Sequence, residues 1–195
     1  MDKLIRTIGN VELRSADSTE SRTIQGYAVV FDSESEDIGW IEIIHKGAIT
    51  QELVDNCDVF AKFNHNDDKI LARSNHGKGS LKLTVDDKGV KYEFEAPHTD
   101  LGDTLLENIR RGEICQSSFA FAINPKDSTA EKFVTKNNIT YRHIYHIAYI
   151  FDVAPVWTPA YPETSVSQRD AQHNELKESL IQYYDNKMQN LSKMM

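Results

Sequence analysis

The sequence lacks the features that mark several classes of protein. No apolar run approaches the roughly 18 residues that a membrane-spanning helix needs. Met1–Arg6 contains no apolar core of a secretory signal. The two cysteines, Cys57 and Cys115, are too few for a disulfide framework or a cysteine-rich zinc site. These absences predict a soluble, intracellular protein that makes no use of a membrane.

An excess of basic charge is also missing. The chain has 22 Lys and Arg against 30 Asp and Glu, a formal net charge of −8, so non-specific nucleic-acid binding is not expected. Hydrophobic residues make up 39% and charged residues 27% of the 195, enough for a substantial core. A length of 195 residues suits one domain with an appendage.

The appendage is predicted at the C-terminal end. No proline or glycine follows Pro162, and the composition changes from Ser167 onward. Apolar residues there recur with a helical period: Leu176, Leu180, Ile181, Tyr184, Met188 and Leu191. We therefore predict a domain over residues 1–166 and an amphipathic helix or tail over 167–195.

Within the first 165 residues, predicted strands outnumber predicted helices. Helices are expected at 47–54 and 99–111, and residues 124–136 are expected to form a polar loop. The proline-rich segment 155–162 is expected to be extended and to lie outside any central strand. Strands are predicted at 11–14, 23–31, 40–44, 58–65, 81–85, 90–94, 114–123 and 141–153. The pattern predicts a mixed, mainly antiparallel α+β fold or a closed barrel.

Two motifs that suggest a phosphate or a metal ion are weak. The segment Gly77–Ser80 has Ala72 where a phosphate loop needs a glycine, and it precedes a strand, which favours a polar turn. His65 and His76 are eleven residues apart, with no regular element to bring them to one metal ion. We predict neither a cofactor nor a metal site, and a metal hydrolase using these two histidines remains a minor alternative.

Three other polar side chains lie on predicted strands. His65 would share an apolar face with Val59, Ala61 and Phe63, and His146 would lie on the aliphatic face of strand 141–153. Ser118 would lie opposite the greasier face that contains Ser117, where a substrate could reach it. Each residue taken alone is more often structural than catalytic.

Together these residue types suit acyl transfer. A serine hydroxyl is a weak nucleophile at neutral pH and needs a base such as histidine at hydrogen-bond distance. A third group must hold the imidazole in the correct tautomer. Such triads occur on unrelated folds and are recognised by role, not by chain order.

Six short strings, in order along residues 11–166, resemble the tailed-phage (HK97-type) prohead maturation protease family. The string at 152–162 is the most specific of the six. The strings are Gly-Tyr-Ala-Val-Val-Phe-Asp-Ser at 26–33, Phe-Asn-His-Asn at 63–66, Leu-Ala-Arg at 71–73, Ile-Arg-Arg-Gly-Glu-Ile at 109–114, Ser-Phe-Ala-Phe at 118–121 and Asp-Val-Ala-Pro-Val-Trp-Thr-Pro-Ala-Tyr-Pro at 152–162.

The resemblance implies a fold, an activity and partners. The fold would be similar to the herpesvirus assemblin proteases, a closed and mainly antiparallel β-barrel flanked by helices. The activity would be that of a serine endopeptidase packaged inside the prohead in the bacterial host cytoplasm. Its substrates would be the scaffolding part of the major capsid protein and then the protease itself. A homodimer is expected by analogy with the herpesvirus enzymes.

The resemblance also implies site residues, with His65 as general base and Ser118 as nucleophile. His146 is predicted as the third member of a Ser-His-His triad, ranked above the acidic alternatives Asp152 and Glu113. Ser117 remains the alternative nucleophile. The herpesvirus-type enzymes have an arginine shortly after their third residue, and residues 147–156 here contain no arginine.

Two functions other than proteolysis stay open at this point. An inactive scaffolding or assembly protein that keeps the protease fold is the main alternative, and the metal hydrolase is the other. The C-terminal helix would bind scaffold or capsid segments, or else pack on its own domain or on a dimer mate.

Overall fold

The computed structural model describes residues 3–8, 14–15, 21–35 and 37–157. The two α-helices in this part are α1 (Gln51–Asn56) and α2 (Asp100–Arg110), and a 3₁₀ turn covers Phe63–His65. The strands are β1 (Leu4–Ile8), β2 (Arg14–Ser15), β3 (Thr23–Val30), β4 (Ile41–Ile44), β5 (Asp58–Lys62), β6 (Ile70–Asn75), β7 (Lys78–Gly79), β8 (Lys82–Val85), β9 (Gly89–Glu95), β10 (Gln116–Ala122), β11 (Glu131–Lys136), β12 (Ile139–Ile144) and β13 (Tyr149–Val156).

The strands form three sheets. The largest has the order β1-β10-β13-β5-β6-β7, a second has the order β2-β3-β9-β8, and a third has the order β11-β12-β4. Strands β4 and β12 pair in parallel, as do β5 and β13, and the other described pairs are antiparallel. The predicted mixed, strand-rich α+β class is confirmed.

The predicted closed barrel is not what the described strands form. A barrel requires every strand to have a neighbour on both sides, so that the sheet has no edge. Each of the three sheets described here instead has an edge strand at both ends, for example β1 and β7 in the largest.

The core lies where the six-stranded and four-stranded sheets meet. Phe119 and Phe121 of β10 are fully buried and their rings stack with centroids 4.8 Å apart. Tyr92 of β9 is also fully buried and approaches β3, where a side chain on Gly26 would lie 2.9 Å from the Tyr92 hydroxyl. A glycine is needed at this position of β3, because only a residue without a Cβ leaves this space.

Local sequence signals predicted two elements well. The strands predicted at 81–85 and 90–94 are β8 and β9, which pair as a hairpin, and the Asp86 carboxylate accepts hydrogen bonds from the backbone N–H groups of Lys88 and Gly89 in its turn. Helix α2 begins after Thr99, whose side chain accepts from the backbone N–H of Gly102. These contacts are local in sequence, so pattern alone was sufficient.

Three predictions of local structure are wrong in part. Helix α1 begins only at Gln51, because Thr50 is its N-cap. Half of the predicted loop 124–136 forms β11 against β12. The predicted strand 141–153 is broken after Ile144 and resumes at Tyr149, so its alternation does not continue across the break.

The proline-rich segment also differs from the prediction. Strand β13 lies inside the largest sheet and extends through Pro155 to Val156. The described pairing with β5 ends at Val153, so the missing N–H of Pro155 interrupts no hydrogen bond of that ladder.

The predicted boundary at 166 and the predicted C-terminal helix at 167–195 lie outside the described residues. Among the residues that are described, no helix has the length and apolar character to cross a membrane.

Candidate active site

Strand β10 places Ser117 and Ser118 on opposite faces of the largest sheet. Ser118 pairs with Thr7 of β1 on one side and with Ala154 of β13 on the other. The hydroxyl of Ser117 lies 2.7 Å from the Tyr92 hydroxyl in the core, so this serine already has a structural partner. Both serines are fully buried, so the expected access of a substrate to Ser118 is not open in this structure.

His65 does not lie on a strand face as predicted. Strand β5 ends at Lys62, and the chain turns through Phe63–His65 with left-handed φ values of 53° at Asn64 and 56° at His65. Asparagine tolerates this conformation better than most residues, and the turn is closed by the Asn66 N–H donating to the Phe63 carbonyl at 3.1 Å. The turn packs against β13 and brings the imidazole, 13% exposed, to the nucleophile strand.

The three side chains that meet here are Ser118, His65 and Asp152. The Nε2 atom of His65 is 2.6 Å from Ser118 Oγ, and its Nδ1 atom is 2.5 Å from Asp152 Oδ1. Asp152 is fully buried on β13, opposite Ala120 of β10 and Phe60 of β5. A hydroxyl, an imidazole and a carboxylate thus form one hydrogen-bonded line across three elements.

His146, the predicted third member, lies elsewhere. It falls in the break between β12 and β13, with a side chain 58% exposed and Nδ1 at 3.0 Å from Asp127 Oδ2. Hydrogen bonds from Thr129 and His146 lower the pKa of Asp127 to about 2. The place beside His65 that was predicted for His146 is taken by Asp152, the acidic alternative, because the strand break ends the alternation on which the prediction depended.

The other predicted site residues have partners of their own. Glu113 forms a 2.6 Å ion pair with Arg111 just after α2. The Nδ1 atom of His76 lies 3.0 Å from the carbonyl oxygen of Asn56, whereas His65 contacts Ser118 and Asp152. The segment Gly77–Ser80 includes the edge strand β7 in a hairpin with β6, which agrees with the interpretation as a polar turn.

Two lysines, which sequence reasoning did not single out, surround the buried carboxylate. Lys3 Nζ lies 2.7 Å and Lys62 Nζ lies 3.3 Å from Asp152 Oδ2. Burial alone would raise the pKa of Asp152, but the hydrogen bonds from His65 and Lys3 outweigh it and hold that pKa below its ordinary value. The carboxylate is therefore ionised at neutral pH, and only the tertiary structure brings the lysines to it.

Strand β1 covers the hydroxyl of Ser118. Its Oγ atom lies 2.7 Å from the backbone carbonyl oxygen of Arg6, in addition to its contact with His65. A hydroxyl has one proton, so Ser118 can donate to only one of these two acceptors at a time. The Arg6 side chain is itself anchored, since its Nε donates to Glu42 at 2.8 Å.

An open groove of about 480 Å³ borders the carboxylate end of the line. Its walls combine aromatic rings with charged side chains on the same sheet face as Asp152. The lining residues are Lys3, Asp58, Phe60, Lys62, Tyr149 and Phe151.

A serine, a histidine and a buried carboxylate joined in this order are the constellation of serine hydrolases. The family model of the caudovirus prohead serine proteases matches residues 9–179, and the chain belongs to that family. The resemblance inferred from the six strings is thereby confirmed.

The fold also agrees with a solved structure. The chain is similar to the bacteriophage T4 capsid assembly protease, gp21, with a TM-score of 0.50 and 14% sequence identity. The similarity covers 81% of this chain and 98% of that one. No curated protein matches the chain in sequence.

Proposed function

We propose that this protein is the serine endopeptidase of capsid maturation in a tailed phage. It removes the scaffolding part of the major capsid protein inside the prohead, in the bacterial host cytoplasm, and then cleaves itself. The observation that carries this proposal is the hydrogen-bonded line from Ser118 through His65 to Asp152. Membership of the prohead serine protease family supports it.

Ser118 acts as the nucleophile, and His65 acts first as general base and then as general acid. The oxygen of Ser118 attacks the scissile carbonyl carbon while its proton passes to His65 Nε2. The C–N bond then breaks, and the leaving amine takes that proton from His65. A water molecule then gives a proton to His65 Nε2 and attacks the acyl carbon; the ester C–O bond breaks, and Ser118 Oγ takes that proton back from His65. Backbone N–H groups near Ser118 are the proposed donors to the oxyanion.

Asp152 replaces His146 as the third member in this proposal. A carboxylate that accepts from Nδ1–H keeps Nε2 free to receive the serine proton, and it stabilises the imidazolium that forms. Asp152 makes this contact from a fully buried position, whereas His146 is bound to Asp127. A Ser-His-Asp triad is the outcome that this geometry supports.

Substrate access requires a change at β1. A scissile carbonyl cannot reach a fully buried Oγ, so the Arg6 carbonyl must leave Ser118 before attack. The groove beside Asp152 has the volume to receive side chains of an extended peptide. We propose that the tail at 167–195 binds scaffold or capsid segments and delivers the enzyme into the assembling shell.

The test uses purified full-length protein, incubated alone and with its capsid protein. Wild type is expected to cleave both, and Ser118→Ala is expected to cleave neither. Ser117→Ala is the matched control, since it removes the neighbouring hydroxyl, and it should retain cleavage. Cleavage by Ser118→Ala that is lost on chelation would overturn the proposal in favour of a metal hydrolase. A wild type that binds the capsid protein but never cleaves it would indicate a scaffolding protein.

A further inference from the structure

We infer that Lys62, together with Lys3, is a positioning residue that holds the Asp152 carboxylate against His65 Nδ1, so that Nε2 stays available to accept the serine proton. This inference rests on the proposed function, in which His65 is the general base. It concerns two lysines that lie next to the triad and contact neither the serine nor the imidazole through any hydrogen bond of the described structure.

Lys62 is placed for this role by the end of β5. The residue is 8% exposed, and its Nζ atom lies between Asp152 Oδ2 at 3.3 Å and Asp67 Oδ1 at 2.5 Å. Burial alone lowers the pKa of Lys62, but the hydrogen bonds and charges of Asp67 and Asp152 outweigh it, so its pKa is raised. Lys62 therefore carries a full positive charge across the working pH range.

The two lysines and the histidine occupy different oxygens of one carboxylate. His65 Nδ1 contacts Oδ1, whereas both ammonium groups contact Oδ2. A carboxylate held at both oxygens cannot rotate about its χ2 bond without breaking a charge-assisted hydrogen bond. Because Lys62 precedes His65 by three residues, one short segment supplies both the base and the group that orients its partner.

Charged groups from several elements surround the His65–Asp152 pair. Lys3 approaches from the position just before β1, Lys62 from the end of β5 and Asp67 from the loop after the 3₁₀ turn, and the carboxylate of Asp152 lies among them. Two cations beside one carboxylate offset the pull that Asp152 would exert on a proton at His65. Removing one cation strengthens that pull, so protonated His65 would persist to higher pH and less general base would be present.

The experiment compares Lys62→Met, which keeps the length of the stem, with Lys62→Arg, which keeps the charge. Lys46→Met is the matched control, since it removes an exposed lysine whose partner is Asp87, at 2.7 Å, and not Asp152. For each variant, the His65 ring is titrated by NMR, with its signal assigned from His65→Ala. The pH profile of kcat/KM is measured in parallel.

In Lys62→Met the His65 titration midpoint and the acid limb of the profile should both move up by about one pH unit, a tenfold effect. In Lys62→Arg most of this shift should be absent, because the charge is kept. Lys46→Met should match wild type. If Lys62→Met does not fold, Lys3→Met, which removes the more exposed partner, should shift both readouts in the same direction.

A His65 midpoint that stays at the wild-type value in folded Lys62→Met or Lys3→Met overturns the inference. The NMR titration needs no turnover, so it decides the inference even if the protein proves not to be a protease. Conversely, if Ser118→Ala abolishes cleavage but the lysine variants leave the His65 titration midpoint unchanged, only the role of the lysines is refuted.

Discussion

Replacing Asp152 with asparagine is the change that separates the two candidates for the third triad member. The carboxylate accepts from His65 Nδ1 through Oδ1 and from Lys3 and Lys62 through Oδ2. In Asp152→Asn the remaining oxygen is expected to face the ammonium groups, so the NH₂ group faces Nδ1. His65 must then carry its proton on Nε2, where it cannot accept one from Ser118.

The expected loss follows from this change of tautomer. Losing the orienting carboxylate lowers kcat/KM by about 10³–10⁴, which corresponds to about 4–5.5 kcal/mol of transition-state stabilisation. Lys3 loses its carboxylate partner and Lys62 keeps only Asp67, and the loss of these charge-assisted hydrogen bonds destabilises the fold by about 3 kcal/mol. For a domain of this size, that lowers the Tm by about 6–12 °C.

The assay is cleavage of the capsid protein at a temperature well below the lowered Tm, with circular dichroism to show that each variant is folded. His146→Ala is the matched variant. Its side chain is exposed and bound to Asp127, so kcat/KM should remain within about twofold of wild type. An inactive His146→Ala beside an active Asp152→Asn would refute the assignment of the carboxylate and restore the predicted Ser-His-His triad.

Three further outcomes are expected. Ser117→Ala should lower the free energy of unfolding in urea by about 1–3 kcal/mol, because the buried Tyr92 hydroxyl loses its partner, and an unchanged value would contradict the structural role of Ser117. Arg6→Ala loosens the anchor of β1, so a fluorophosphonate probe should label Ser118 several-fold faster, and labelling at the wild-type rate would show that β1 does not limit access. Because the pKa of Asp152 is lowered in the folded protein, the unfolded chain binds more protons in acid. The contribution of Asp152 to the free energy of unfolding should therefore be complete above the ordinary carboxyl pKa of about 3.9 and should fall as pH decreases further. Ordinary carboxyl groups titrate between about pH 2 and pH 5. Denaturation midpoints that stay constant across that range would contradict this last expectation.

Much of the fold was predictable because its signals are local. The turn after β8, the Thr99 cap and the glycine in β3 each depend on neighbours in sequence or on one steric requirement. The closed barrel was not predictable in this way, since sheet closure depends on which distant strands pair. Strand β11 was missed because its side chains are mostly exposed and polar, which removes the alternation that marks a half-buried strand.

For the site, the sequence by itself determined the nucleophile and base candidates, since Ser118 and His65 lie within strings typical of the prohead protease family. Which carboxylate or imidazole lies against His65 Nδ1 is visible only in the tertiary structure. A strand break moves His146 to the surface, and the pairing of β5 with β13 brings Asp152 and Lys62 together from positions 90 residues apart. Charge pairing in a buried site depends on distances across the sheet, and no periodicity along the chain encodes those distances.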